Sequence, residues 1–488
     1  MAIVLVPEIS LTPQMVNRFL ARFGESIAVL HSKLSIGERF DEWQKIKNGE
    51  VKIVIGARSA IFAPVRNLGI IIIDEEHDMS YKSEMTPRYN AKEIANYIAR
   101  NNNCPLVLGS ATPDITSFYQ AELGKINLYK LTKRANNSKL PSTKIIDLRY
   151  ELSQGNRSML GLELQKAIKS NLEKKEQTIL FLNRRGYSTF IMCRECGYVA
   201  KCKNCNISLT YHKYENKLKC HYCGYEIPVM KECPNCNSKK IKYFGTGTQK
   251  LEEEIHKLFP EATTVRMDID TVSKKNSHEE ILKKFQEENI DILVGTQMIA
   301  KGHHFPKVTL VGVVSADGTL NIEDYRAVEK TFQTIVQVSG RAGRGEKDGS
   351  VYIQTYNPDH YAITLAQKQD YEEFYKTELE LRKRLKYPPF CDIILIRFTG
   401  KDLKEIQSVS NKMYFVLNKI LDKDKILIYK PVPSPVDKIQ NKYRYRIILK
   451  GNLNLKLIDG IKYSMGENIL GKVRETTITV DINPNSMM

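Results

Sequence analysis

Two successive α/β lobes, a cysteine-rich insertion in the second and a C-terminal α+β domain are what the sequence predicts. Three observations point there. Short Val/Ile runs alternate with amphipathic stretches over residues 1–125 and again beyond residue 158, the pattern of parallel strands buried on both faces. Four Cys-x-x-Cys pairs crowd into residues 193–236, inside the second set. From residue 370 onward the rhythm changes to a charged helical stretch and a mixed βαβ-like tail. A chain of 488 residues is too long for one core, which fits such a division.

The first lobe, residues 1–125, carries apolar runs at Ile3–Val6, Val51–Ile55, Gly69–Ile73 and Pro105–Leu108. Residues 126–157 lose that rhythm, and Arg134-Ala135-Asn136-Asn137-Ser138 reads as a connector. The second lobe, residues 158–192 and 237–365, has runs at Thr178–Leu182, Thr264–Met267, Ile290–Val294, Thr309–Val314 and Ser350–Gln354. The C-terminal domain, residues 370–488, opens with the helix-forming Tyr371–Leu385 and then Tyr387-Pro388-Pro389-Phe390. Open parallel sheets bind ligands beyond the carboxyl ends of their strands, so chemistry is sought just after the apolar runs.

An apolar fraction of 42% argues against wholesale disorder. The balance of 74 Lys+Arg against 56 Asp+Glu, a net +18, suits a polyanionic partner, although a lysine-rich solvated surface gives the same balance. No run approaches the ~18 apolar residues that span a bilayer, and the first twenty residues do not form a signal peptide. Ten cysteines without an export signal point to metal or catalysis rather than disulfides, and a cytoplasmic location with no membrane partner is expected.

Ile70–Ile73 runs into Asp74-Glu75-Glu76-His77. An acid at such a strand tip can hold Mg²⁺ through water beside nucleotide phosphates, and the next can orient or deprotonate an attacking water. Alone this is weak, since many strands end in acids. Followed by Gly109-Ser110-Ala111-Thr112-Pro113 after a further strand, it is strong. The second lobe supplies Gly295-Thr296-Gln297-Met298-Ile299-Ala300-Lys301-Gly302-His303, then Gln337-Val338-Ser339-Gly340-Arg341-Ala342-Gly343-Arg344. Arg341 and Arg344, three apart, are expected on one helix face, reaching across a cleft to charge developing on a γ-phosphate. Gly295, Thr296, Gln337 and Lys301 are candidates for coupling the second lobe to nucleotide or nucleic acid. An isolated RxxR is usually a solvated face; in this company it is the signature of a superfamily 2 helicase motor.

Cys193, Cys196, Cys202, Cys205, Cys220, Cys223, Cys233 and Cys236 make two Cys₄ sets, hence two structural zinc ions per chain. One such pair could be redox-active; four in so short a segment favour zinc. Spacing does not fix the pairing. A nested arrangement, outer pairs sharing one ion and inner pairs the other, is preferred because it brings the two ends of the insertion together. Cys104 and Cys391 read as ordinary packed residues. Tyr198, Lys201, Lys203, Tyr211, His212 and Tyr222 fit a DNA-touching surface and the small core of a zinc module equally well.

Read in order, the segments resemble the primosomal protein N′ family of superfamily 2 helicases. Val4-Leu5-Val6-Pro7-Glu8-Ile9 with Leu11-Thr12-Pro13-Gln14 looks like motif Ia, and Ile53–Pro64 (IVIGARSAIFAP) like motif Ib. Phe181–Gly186 (FLNRRG), the eight-cysteine insertion and Lys301–Pro306 (KGHHFP) are narrower still. Arg88-Tyr89 stands where the family carries an aromatic-rich loop linking DNA engagement to ATP hydrolysis, with Thr86-Pro87 in place of the usual tryptophan. The tail Val480-Asp481-Ile482-Asn483-Pro484 resembles the family's C-terminal domain. The resemblance implies two RecA-like lobes, ATP with Mg²⁺, two zinc ions and 3′→5′ unwinding at stalled or branched forks to restart replication. It implies DNA, primosome proteins and single-strand-binding protein as partners. One departure stands out: no G-x-x-x-x-G-K-[ST] phosphate loop occurs in the 488 residues. The expectation is a first lobe lacking its first strand and helix, with an apolar sheet edge exposed, in an N-terminally truncated form. A non-hydrolysing DNA-binding or primosome scaffold is the alternative.

Overall fold

The computed structural model describes residues 1–7, 13–32, 34–133, 140–182, 190–212, 215–243, 247–268, 277–296, 299, 305–343, 347–422, 424–466, 470–471 and 473–487. The first lobe is a five-stranded, all-parallel sheet in the order Ile27–Leu30, Ile53–Gly56, Ala2–Leu5, Ile70–Ile73, Leu106–Leu108. Its strands are nearly unbroken Ile/Val/Leu because helices cover both faces. Helix Ile36–Asn48 is set by a capping box, Ser35 taking the Glu38 amide while Glu38 answers to the Ser35 amide, and ends at Gly49 with φ +79°. Ala2–Leu5 lies at the centre, with Ile53–Gly56 on one side and Ile70–Ile73 on the other. That is the point where strand order reverses, and Asp74 follows directly beside it. Leu106–Leu108 forms one sheet edge, with Val107 45% exposed.

The second lobe is a six-stranded parallel sheet in the order Thr264–Met267, Ile292–Gly295, Gln177–Leu182, Val308–Ser315, Ser350–Thr355, Ser142–Asp147. Two strands differ from the sequence reading. Ser142–Asp147 lies inside the stretch expected to be a connector; it is an edge strand whose alternate residues face solvent, so its apolar signal is halved. Ile27–Leu30, at the opposite edge of the first sheet, is the other strand that the sequence reading did not pick out.

The insertion leaves the second lobe through Ile191–Cys193 and returns through Ile241–Tyr243, which pair antiparallel and close its neck. Within it a small antiparallel sheet joins Thr210–His212, Lys217–Lys219 and Glu226–Pro228. In the C-terminal domain neighbouring strands pair antiparallel, but Asp392–Gly400 and Leu427–Ile428 flank Lys442–Gly451 and so run parallel, joined through helix Leu403–Ile420, a split form of the βαβ-like pattern read from the sequence. Asp392–Gly400 and Lys442–Gly451 are its central strands, backed by helices Leu403–Ile420 and Leu455–Ser464 around Ile394, Ile396, Met413, Leu417 and Leu457.

Packing joins these parts more closely than the domain list suggests. Helix Ile115–Glu122 follows the first sheet, yet Ile115 and Phe118 belong to the second lobe's core with Val311, Phe332, Phe374 and Tyr375. Phe118 meets Tyr375 edge-on at 4.6 Å. The structural crossing between lobes thus falls at Gly109–Asp114, ahead of the composition change at 126. Among the described residues no helix is long and apolar enough to cross a membrane.

Candidate functional site

At the tip of Ile70–Ile73 the chain turns sharply. Asp74 Oδ1 accepts the Glu75 amide at 3.0 Å, and Glu75 adopts φ +46°, a left-handed conformation that side-chain-bearing residues rarely take. Gly109 donates to the Ile73 carbonyl (2.8 Å) and accepts from the Glu76 amide (3.0 Å), so the two loops are stitched together. The Tyr81 hydroxyl lies 2.6 Å from the Asp74 carbonyl and 3.0 Å from that of Leu5. Partial burial raises the Asp74 pKa, only partly offset by the Glu75 amide and His77. Glu75 Oε2 is buried without a hydrogen-bond partner among the described residues, 3.6 Å from His77 Nδ1. A carboxylate oxygen so placed has unused hydrogen-bonding capacity.

The third acid does something else. Glu76, 2% exposed, accepts from Lys92 Nζ (2.8 Å), the Ser117 hydroxyl (2.9 Å) and the Asp114 amide (2.7 Å). It fastens the strand tip to the far end of the Gly109–Pro113 strap, a role the sequence reading did not assign. Ser110 Oγ meets His77 Nδ1 at 2.7 Å, and Gln337 of the second lobe meets His77 Nε2 at 2.7 Å. The strand-tip motif, the strap and the arginine motif are thereby in direct contact, across 260 residues of sequence.

Arg341 is 7% exposed, but not on the helix face expected for it. Helix Ala327–Ser339 stops at Gly340, and Gly343, at φ +68°, turns the chain where a Cβ would stand 2.6 Å from the Gly349 nitrogen. Arg344 and Lys301 lie outside the described residues, as do most of the FLNRRG and KGHHFP motifs. Thr296 is buried and donates its amide to Met267. Gly295 ends its strand with no room for a side chain: a Cβ would meet Ile299 Cδ1 at 2.1 Å and the Met267 carbonyl at 2.7 Å. Gly295→Ala is therefore expected to destabilise the second lobe by about 1–3 kcal/mol, as overpacking does. Urea unfolding of the two chains checks this, and equal midpoints would contradict it.

The loop after His77 is held on both sides. Arg58 donates to the carbonyls of Ser80 (3.0 Å) and Lys82 (2.6 Å), and its guanidinium lies over Tyr89. Asp481 from the C-terminal strand pairs with Lys82 (3.0 Å) and Arg88 (2.9 Å). Phe62 packs edge-on against Tyr89. The loop that resembles the family's DNA-sensing element thus touches motif Ib and the C-terminal domain at once.

The cysteines fall into the nested sets. Cys193, Cys196, Cys233 and Cys236 form one, and Cys202, Cys205, Cys220 and Cys223 the other, with all ligand atoms of a set within 4.8 Å of one another. Tetrahedral coordination at ~2.3 Å puts sulfurs about 3.8 Å apart. The observed contacts are 3.5 Å (Cys202–Cys223, Cys196–Cys233) and 3.7 Å (Cys193–Cys236), so two zinc ions fit the residues present. Each knuckle turns at a glycine or asparagine with positive φ: Gly197, Asn206, Gly224 and Asn237. Tyr222 is fully buried, with Tyr198 and Tyr211 packed around it, while Lys201 and Lys203 are exposed. The aromatics are the module's core. That core continues through Tyr387, Ile393, Leu395 and Ile448 into the C-terminal domain.

Four stretches of the chain match known protein families. Residues 1–120 match the DEAD/DEAH box helicase family and residues 229–346 the helicase conserved C-terminal domain. Residues 202–228 match the PriA DNA helicase Cys-rich region domain, and residues 383–485 the primosomal protein N C-terminal domain. The replication restart protein PriA of Bacillus subtilis is 50% identical over 489 residues, covering 100% of this chain and 60% of the relative. That of Rickettsia felis is 38% identical over 485 residues, covering 99% of this chain and 74% of the relative. Among solved structures, RecG bound to a three-way DNA junction aligns with a TM-score of 0.42 at 15% identity, covering 79% of this chain and 44% of that one.

Proposed function

Because the chain belongs to the PriA family of replication restart proteins, we propose that it carries the motor of a zinc-containing, ATP-dependent DNA helicase that moves 3′→5′, recognises stalled or branched forks and initiates replication restart. The observation that carries this reading is the His77–Gln337 contact at 2.7 Å, which closes the strand-tip acids against the arginine motif. In this reading Asp74 holds Mg²⁺ through water and Glu75 orients or deprotonates the attacking water. Arg341 and Arg344 would stabilise charge developing on the γ-phosphate, and Gly295, Thr296, Gln337 and Lys301 would couple the second lobe to nucleotide or DNA. Mg-ATP supplies the phosphoryl bond whose cleavage drives the motor. The zinc ions fix the insertion's fold and take no part in that chemistry.

The chain spans 60% of the length of its Bacillus relative, and its 488 residues include no G-x-x-x-x-G-K-[ST]. ATP turnover is accordingly assigned to a polypeptide that also carries a phosphate-binding loop. The same fact favours a second reading of these residues alone, as a DNA-binding, non-hydrolysing primosome scaffold. The surplus of 18 positive charges supports DNA as the partner in both readings. Primosome proteins and single-strand-binding protein are the further partners proposed, in the cytoplasm. Fluorescence anisotropy with fork, tailed-duplex and blunt-duplex DNA tests the shared claim: forks are expected to bind most tightly, with affinity falling steeply as salt rises. Equal affinity for all three would remove fork recognition from the account.

A further inference from the structure

Helix Ala327–Ser339 presents Glu329, Gln333 and Gln337 at intervals of four, hence on one side. Each grips either His77 or the Gly109–Ile115 strap. Gln337 meets His77, Gln333 Nε2 donates to the Thr112 carbonyl (3.3 Å), and Glu329 Oε1 accepts the Ile115 amide (2.9 Å). The second oxygen of Glu329 takes Arg382 Nη2 at 2.7 Å. Arg382 belongs to helix Tyr371–Leu385 and is held in turn by Glu378 (3.0 Å) and the Pro388 carbonyl (3.3 Å). From the same helix the Tyr371 hydroxyl donates to the Pro113 carbonyl at 2.8 Å. Glu329 and Arg382 are each 3% exposed.

We infer that Glu329, oriented by Arg382, is a positioning residue: it fixes the second-lobe end of the Gly109–Ile115 strap and ties that strap to the helix leading into the C-terminal domain. Burying a carboxylate and a guanidinium here is no more stabilising than apolar packing of the same volume. What the pair adds is direction, with one oxygen for the guanidinium and one for the Ile115 amide. The strap's other end carries Ser110 on His77, with four residues between Ser110 and Ile115, so a displacement at Ile115 reaches the strand-tip motif along a short segment. Glu76 grips the neighbouring amide, that of Asp114, from the first-lobe side. Two carboxylates from two lobes therefore hold consecutive peptide nitrogens, which makes this the place where relative lobe position is set.

The geometric claim stands on contacts alone; its consequence for turnover rests on the motor reading above. Hydrogen exchange of the zinc-loaded chain, read on the peptide containing Ile115, tests it. Arg382→Met, which touches nothing at Ile115, is expected to speed exchange there about tenfold, the factor that one lost hydrogen bond of ordinary strength implies. Exchange over Leu403–Ile420 should not change, and Arg382→Lys should restore most of the protection. Glu329→Ala should match Arg382→Met. Unchanged exchange at Ile115 in both variants overturns the inference, as does loss of protection spread over the whole chain, which would mean a general fold role only. In a version joined to a phosphate-binding loop, Arg382→Met should lower the DNA-stimulated kcat while leaving KM for ATP unchanged. A proportional change in both would also count against positioning. The exchange measurement needs no ATP, so failure of the motor reading and failure of this inference remain distinguishable.

Discussion

Glu75→Gln is expected to lower DNA-stimulated ATP hydrolysis by about 10²–10⁴-fold, in a polypeptide that joins these residues to a phosphate-binding loop, while fork binding stays within about twofold of the parent. The magnitude is that of losing a positioned general base. The geometry explains the selectivity. Glu75 Oε2 has no hydrogen-bond partner among the described residues, so an amide in its place breaks no contact that holds the fold. The left-handed turn is a backbone feature, and Asp74 would still accept the residue 75 amide. Glu76→Gln should behave differently: that side chain holds Lys92, Ser117 and the Asp114 amide, so its loss should appear first as lowered stability. Thermal unfolding and ATP turnover measured on both variants separate the two roles. Normal turnover by Glu75→Gln would sink the assignment of the water-activating acid.

Zinc removal should have the second large effect, and it should come in two stages. Metal analysis of the intact chain is expected to give two zinc ions, one per nested set. In the outer set Cys236 is exposed and Cys196 half-buried, whereas three of the four inner ligands are buried. A chelator should therefore take the outer ion first. Losing it frees the neck, where Gly197 is packed against the Tyr356 carbonyl with no space for a Cβ. Losing the inner ion reaches further, because Cys202, Cys205 and Cys220 share a core with Tyr387, Ile393, Leu395 and Ile448. Structural zinc contributes roughly 10–16 kcal/mol of apparent binding energy in small zinc domains, and that energy is folding energy. Cys220→Ser should accordingly leave one zinc ion and expose the C-terminal domain as well as the insertion to proteolysis. Cys236→Ser should also leave one ion, with the C-terminal domain still protected. Two ions bound to Cys220→Ser, or a fully folded metal-free chain, would contradict the zinc assignment.

The parts of the molecule legible in sequence are those where one residue type does one job. Unbroken Ile70–Ile73 can only be a buried parallel strand, and eight cysteines in four pairs can only be sorted a few ways. The nested sorting followed from the need to close the neck, and Cys193 does stand opposite Ile241 there. Edge strands were harder, since Ser142–Asp147 buries one face and looks half polar. Most hidden of all was the buried charge between the lobes. Glu329 and Arg382 are ordinary letters in charged helical stretches, separated by 53 residues, and nothing local marks them as inward-facing. The i, i+4, i+8 spacing of Glu329, Gln333 and Gln337 was the available signal: three long hydrogen-bonding side chains on one side of the helix. Arg341 was placed on a helix that Gly340 ends, because an RxxR spacing says nothing about where a helix stops.

The central claim is that these 488 residues supply the acid, histidine and arginine elements of an ATP site whose phosphate cradle is a separate element. The measurement that tests it most directly is DNA-stimulated ATP hydrolysis by the chain alone, beside the same residues joined in frame to a G-x-x-x-x-G-K-[ST] loop. Turnover in the second only, abolished by Glu75→Gln, is the predicted result. Turnover by the 488 residues alone would show that another element cradles the phosphates, and silence in both would leave the scaffold reading in its place.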